Sequence, residues 1–305
     1  MLDAISAVLS HFVHVVSQVA PAALAMALAF TLLGQVATAC NPGYRWWQKP
    51  DLLTDFLFMF CLPLFTGYVR LAFLVVGAIA IYGGGDQAEL IRFFEGGRGL
   101  LAGLPFWGQA VAYMIGADLI MYGTHRLFHT MSLWRYHAVH HAPEHLDWTS
   151  ATRFHPVNII LHSVLADAIM LLLGVAPQVL VYLAPLNVAL SAFVHANLNW
   201  TLGPFRYAIV SPVFHRWHHT DYRRGGSKNF AATFPVIDLV FGTFYMPRGV
   251  LPDAYGVHDK HFPDGFLAQL AYPFRKRPKR AAAPASGSAI GPAVGRADPV
   301  PGPAH

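Results

Sequence analysis

The chain has 305 residues, 55% of them apolar and 12% charged, with 21 basic and 16 acidic side chains giving a formal net charge of +5. That charged fraction is about half of what a soluble domain carries, which excludes an ordinary water-soluble enzyme and points to a membrane protein. The charge excess sits in residues 273–305, six Lys/Arg against one Asp; a basic tail on a neutral apolar body suits an anionic lipid surface or plain solvation, not nucleic acid, which needs cations spread over a folded face.

No Asp, Glu, Lys or Arg occurs between Asp3 and Arg45, and the stretch lacks the charged start and cleavage pattern of a removable signal, so it is expected to be retained. Pro21 divides it into an interfacial or re-entrant helix over 4–19 and a first span over 21–39. Residues 52–82, interrupted by Pro63, Gly67 and Arg70, are long enough to cross with a tilt or bend. A third segment runs over 100–123, and 158–174 with 176–195 make a hairpin around Gly174 and Pro177. The expected fold is all-α, an integral membrane bundle of about four to five spans. Its expected divisions are N-terminal membrane segments (1–99), a catalytic domain (100–272) and a basic tail (273–305) with too little apolar bulk to fold. Counting sides puts Arg45, Lys49, the segment from His125 to Arg153 and everything after Arg206, the tail included, on one face, cytoplasmic by the positive-inside rule. Cys40 and Cys61 lack metal-knuckle spacing and read as core filler.

Of 17 histidines, 12 fall between His125 and His219. His125 and His129 are four apart, so on a helix their side chains diverge by only about 40°. His137, His140 and His141 follow i, i+3, i+4 spacing, as do His215, His218 and His219, and His195 ends the hairpin's second arm. Nine such nitrogens exceed what one metal ion can use and suit two ions with four or five ligands each. Burying them without partners would cost about 1–3 kcal/mol apiece, and a metal removes that cost.

All-imidazole coordination is compatible with zinc, copper, nickel or iron. A two-metal zinc hydrolase normally brings bridging carboxylates and a water-activating Glu, yet Glu144 is the sole Glu in the His-rich stretch. Transporters place ligands at the middle of spans, whereas these boxes lie at span ends. The favoured chemistry is therefore two iron ions that activate O2 against a lipid, hydroxylation ahead of desaturation. A di-zinc membrane hydrolase or isomerase acting on lipid is the alternative, and a metal transporter a third. With neither a nucleotide-binding motif nor a cysteine cluster in the chain, electrons are expected from an external donor such as a ferredoxin, a cytochrome or a reductase.

The order His125-x-x-x-His129, His137-x-x-His140-His141, His215-x-x-His218-His219 resembles the fatty acid hydroxylase superfamily, in its sterol desaturase-like branch of membrane di-iron oxygenases. The run from Trp134 to Asn158, the His195-Ala196-Asn197 element, Asn229 and the run from Asp238 to Phe244 extend the likeness over about residues 110–250. The resemblance implies a membrane bundle with a His-rich cytoplasmic helical cap, two irons, and O2-dependent hydroxylation or desaturation of a lipid such as a sterol or fatty acyl chain. It implies as ligands His125, His129, His137, His140, His141, His195, His215, His218 and His219. Ser191 and Asn199 stand where fatty acid 2-hydroxylases have a further His on either side of His195, which leaves the second ion one imidazole short, or completed by water, Asn199 or another His.

Metal-bound imidazoles donate their second nitrogen to a carboxylate or carbonyl. Asp238 heads the candidates for that partner among Asp118, Asp147, Asp167, Asp221 and Asp238, and His145 and His155 are read as further hydrogen-bonding neighbours or as ligands. His162, inside an apolar arm, is read as a core polar contact or as the missing ligand.

Overall fold

The computed structural model describes residues 2–82, 86–130, 132–221, 223–259 and 261–275. The expected tail therefore lies outside the described residues beyond Arg275. Among the described residues every regular element is helical, apart from one isolated bridge between Thr220 and Tyr255. Residues Met1–Pro273 form a single compact unit.

Helix α1 (Leu2–Val36) runs through Pro21 without a break, which corrects the expected division into two pieces. Proline removes one backbone donor, but in a segment free of charges the remaining helical hydrogen bonds meet no competing water, and the helix continues one bond short. Leu24, Leu28, Leu32 and Val36 are 54% to 84% exposed at four-residue spacing, an apolar stripe of the kind that a membrane-crossing helix turns outward. Helix α2 (Leu52–Tyr82) packs against α1 and also carries an internal proline, Pro63.

Among the described residues, three stretches are long and apolar enough to cross a membrane: Ser10–Val36, Leu52–Phe73 and Pro177–His195. The other two segments of the sequence count are of a different kind. Helix α4 (Phe106–Phe128), which follows the short α3 (Gln87–Gly96), has 23 residues and spans about 35 Å, but Gln109, Asp118, His125 and Arg126 make it more polar. The run Pro156–Leu172 is shorter; it consists of α6 (Pro156–Ile159), a π-helical turn (Ile160–Val164) and α7 (Leu165–Leu172). At its end the chain turns at Gly174, φ +106°, where a Cβ would stand 2.8 Å from the Gly99 Cα. Only glycine allows this approach, which lets Leu101 N–H donate to the Leu173 carbonyl at 2.8 Å.

Helices α4, α7 and α8 (Pro177–His195) meet over Ala110, Tyr113, Ala117, Ala166, Met170 and Val179. The small residues among these permit close helix contact, as in other membrane bundles. Short helices follow: α5 (Trp134–His141) against α4, α9 (Pro212–His218) against α8, then α10 (Val236–Val240) and α11 (Phe266–Ala271). Helix α9 starts cleanly because Ser211 Oγ accepts from Phe214 N–H at 3.2 Å and Pro212 takes the first helical position.

Candidate metal centre

The nine box histidines come together as two groups. His125, His129, His137, His141 and His218 form one; His140, His195, His215 and His219 form the other, with the ligand atoms of each group within 4.8 Å of one another. Helix geometry explains the division. Relative to the first histidine of a His-x-x-His-His box, the i+4 side chain is turned by about 40° one way and the i+3 side chain by about 60° the other. In α5, His137 and His141 thus face the first group while His140 faces the second; in α9 and its C-terminal cap, His215 and His219 face the second while His218 faces the first. Each box lies between two sites and serves both.

Backbone carbonyls fix the tautomers. His125 Nδ1 lies 2.8 Å from the Phe230 carbonyl oxygen, His140 Nδ1 3.2 Å from that of Arg153, His195 Nδ1 2.7 Å from that of Ser191 and His218 Nδ1 2.8 Å from that of Lys228. His137 Nδ1 is 2.6 Å from the amide oxygen of Asn158. These oxygens only accept, so Nδ1 carries the proton and Nε2 presents a lone pair.

Those lone pairs point at each other. His125 Nε2 is 3.0 Å from His137 Nε2, and His195 Nε2 is 3.3 Å from His140 Nε2; with the protons of all four rings committed at Nδ1, neither contact is a hydrogen bond. Protonation does not relieve the opposition, because burial and the neighbouring imidazoles hold His137, His140, His141, His215 and His219 well below the usual imidazole range; burial, with His125 beside it, does the same for His218. His129 Nε2, His218 Nε2 and His219 Nδ1 are buried with no hydrogen-bond partner. Converging neutral nitrogens and unpartnered buried atoms are what a cation needs and what its absence would penalise. The donor set therefore fits two metal ions, and the ligand type admits iron.

Asp238 and Asp118 do not reach an imidazole, contrary to expectation. Asp238 accepts from the backbone N–H groups of Phe230 (2.8 Å) and Ala231 (2.9 Å) and from the Thr243 hydroxyl (2.7 Å). Asp118 accepts from Ala232, Thr233 and Phe234 N–H at 2.7, 3.1 and 2.6 Å. Together they hold the strip 230–234, whose Phe230 carbonyl orients His125: the carboxylates act one peptide removed. His155 also departs from the expected role. Its Nδ1 accepts from Val157 N–H at 3.1 Å, capping α6, and its Nε2 lies 3.2 Å from the Leu270 carbonyl. His145 packs edge-on against Tyr44, away from both groups. Ser191 contributes its carbonyl rather than a ligand, and Asn199 donates its backbone N–H to Thr38. Neither completes the second group.

Behind His140 lies a buried charge network. Asp55 accepts from Lys49 Nζ (2.6 Å), Thr149 Oγ1 (2.6 Å) and Arg153 Nε (2.8 Å), and Arg153 also reaches Asp51 at 2.9 Å. The network fixes the position of Arg153, whose carbonyl orients His140. Arg216, on α9 between the site histidines, donates to the carbonyls of Leu146 (2.8 Å) and His195 (3.0 Å), tying α8 to α9.

A cavity of about 640 Å³ opens from the two groups into the apolar bundle. His125, His137, His140, His195 and His215 form part of its wall, and Phe58, Leu62, Leu171, Leu180, Ala184 and Val188 carry it away between α2, α7 and α8.

Residues 110–243 match the fatty acid hydroxylase family, and the chain carries a domain of that family over them. It is 30% identical to an ornithine lipid hydroxylase of Rhizobium tropici across 58% of this chain and 53% of that protein. It is 30% identical to the human alkylglycerol monooxygenase across 43% of this chain and 29% of the relative. A very-long-chain aldehyde decarbonylase of rice is 28% identical across 46% of this chain and 55% of its own length. The chain thus spans about half or less of the length of these relatives. No solved structure matches it.

Proposed function

We infer that this chain is a membrane-embedded di-iron oxygenase that uses O2 and externally supplied electrons to hydroxylate a C–H bond of a lipid, with its imidazole groups and C-terminal tail on the cytoplasmic side. One observation carries the inference: two adjacent all-imidazole groups, of five and four histidines, border a mainly apolar cavity inside a bundle with helices long and apolar enough to cross a membrane. The relatives that act on ornithine lipid and alkylglycerol support a lipid substrate.

His125, His129, His137, His141 and His218 would hold one iron, and His140, His195, His215 and His219 the other. Bound there, the pair supplies reductive activation of O2 and the oxidising power to break an unactivated C–H bond. The chain's own residues do the rest. Carbonyls of Phe230, Arg153, Ser191 and Lys228 keep the protons of His125, His140, His195 and His218 on Nδ1 and so keep their Nε2 atoms available. The cavity takes up an alkyl chain, excludes water and holds one carbon near the imidazole groups, which sets where the chain is attacked. Among the described residues neither group contains a carboxylate, which disfavours a water-activating di-zinc hydrolase.

The test is comparative lipid mass spectrometry of cells producing the intact chain or His218→Ala. A species heavier by one oxygen, present only with the intact chain and only under air, is the expected result. Identical lipids at matched expression and oxygen supply would overturn the proposal.

A further inference from the structure

We propose that His162 binds the substrate, accepting a hydrogen bond from an N–H or O–H group that the lipid carries close to the carbon attacked. The proposal rests on the lipid-oxygenase reading above and adds a substrate class to it: lipids with a donor near the reacting carbon, such as N-acyl amides or hydroxylated chains, over plain hydrocarbon or ester chains.

His162 stands on the π-helical turn Ile160–Val164. Such turns displace side chains from α-helical register and recur at functional sites. Its ring centroid is 5.6 Å from that of His125, yet it belongs to neither imidazole group and instead lines the cavity. The tautomer follows from its neighbour. His162 Nδ1 is 2.8 Å from Thr124 Oγ1, and that hydroxyl lies 3.1 Å from the Met121 carbonyl and 3.3 Å from that of Ile120. A helical threonine gives its one proton to such carbonyls, which leaves its lone pair to accept Nδ1–H from His162. Nε2 is then unprotonated. It has no hydrogen-bonding partner among the described residues, and the side chain is only partly buried, its accessible surface turned into the cavity.

A bare acceptor beside the imidazole groups discriminates strongly, because a ligand lacking a donor strips it of water and gives nothing back. A saturated acyl tail can fill the apolar walls but cannot satisfy Nε2. A lipid whose amide N–H or hydroxyl lies within a few bonds of the reacting carbon does both at once, and the hydrogen bond fixes which carbon faces the irons.

The experiment uses the full chain in detergent, anaerobic and without reductant, so that binding is read without turnover. The probes are N-hexylpalmitamide and hexyl palmitate, which differ at the linkage by N–H against O, and each is titrated as a competitor of a bound fluorescent fatty acid. The intact chain should bind the amide about tenfold more tightly than the ester. His162→Leu should bind both alike, at the ester's affinity, with unchanged metal content. Should that variant fail to fold, Thr124→Val decides the matter: with Nδ1 deprived of its acceptor the proton can move to Nε2, and the preference for the amide should shrink or invert. Equal binding by the intact chain, binding of neither probe, or a preference that survives in the folded variants would overturn the proposal. Metal analysis separates the two levels: a chain that holds zinc but keeps the His162-dependent preference refutes the di-iron reading alone, and an iron-bearing chain without the preference refutes this one alone.

Discussion

The amide oxygen of Asn158 lies 2.6 Å from His137 Nδ1, so a side chain on α6 sets the tautomer of an imidazole on α5. Replacing it with Ala leaves Nδ1–H without its acceptor and frees the ring to rotate. Asn158→Ala should weaken metal binding in the five-histidine group by about 10- to 100-fold, with the chain still folded. Titration with a competing chelator checks this, and unchanged retention of both ions would contradict it.

The division of each His-x-x-His-His box between two groups predicts paired outcomes. His140→Ala should loosen the ion held with His195, His215 and His219, while His218→Ala should loosen the ion held with His125, His129, His137 and His141. Each variant should retain about one ion per chain under mild chelation, and the double variant none. A box acting as one site would instead lose both ions in either single variant.

Asp55 is fully buried between Lys49 and Arg153. Asp55→Ala leaves two buried cations short of their partner, and removing one side of a buried pair costs about 3–5 kcal/mol. The expected result is a markedly lower melting temperature in detergent, together with weaker retention of the ion held by His140, since Arg153 orients that ring. A melting temperature within a degree or two of the parent would refute the network's role.

The metal-free chain should lose stability as the pH falls. The buried site imidazoles have folded-state pKa values well below the usual 6.5, whereas in the unfolded chain they titrate near it. Below about pH 6.5 the unfolded state binds more protons, so stability declines with falling pH and is flat above about pH 7.5. Melting curves of the stripped protein from pH 8 to pH 5.5 test the sign. Stability that is constant or rises toward acid would contradict it.

Ala184 and Val188 line the cavity on α8. Ala184→Phe should fill part of it, and long-chain lipids should compete less well than in the parent while short-chain ones are little affected. An unaltered chain-length profile would mean that the substrate lies elsewhere.

The histidine pattern was legible because metal ligation from helices favours i, i+3 and i+4 spacing, and eight of the twelve histidines in that stretch follow it. The partners of those histidines were not. Every residue has a carbonyl, so nothing in the sequence marks Phe230, Arg153, Ser191 or Lys228 as acceptors; the carboxylates that sequence does mark, Asp118 and Asp238, grip backbone N–H groups instead. Asn158 falls within the family-like run from Trp134, yet an asparagine on a helix start reads as a cap. Pro21 misled because helix breaking is a rule for water, and α1 is not in water. The cavity was beyond reach, since its walls come from α2, α7 and α8 and depend on how these pack.

The most direct measurement of the central claim is Mössbauer spectroscopy of the chain produced on ⁵⁷Fe and purified without chelators, with total metal counted on the same sample. Two irons per chain in nitrogen-rich, non-haem sites are predicted, falling to about one in His140→Ala. Zinc in place of iron, or iron that stays at two per chain when His140 and His218 are both removed, would contradict it.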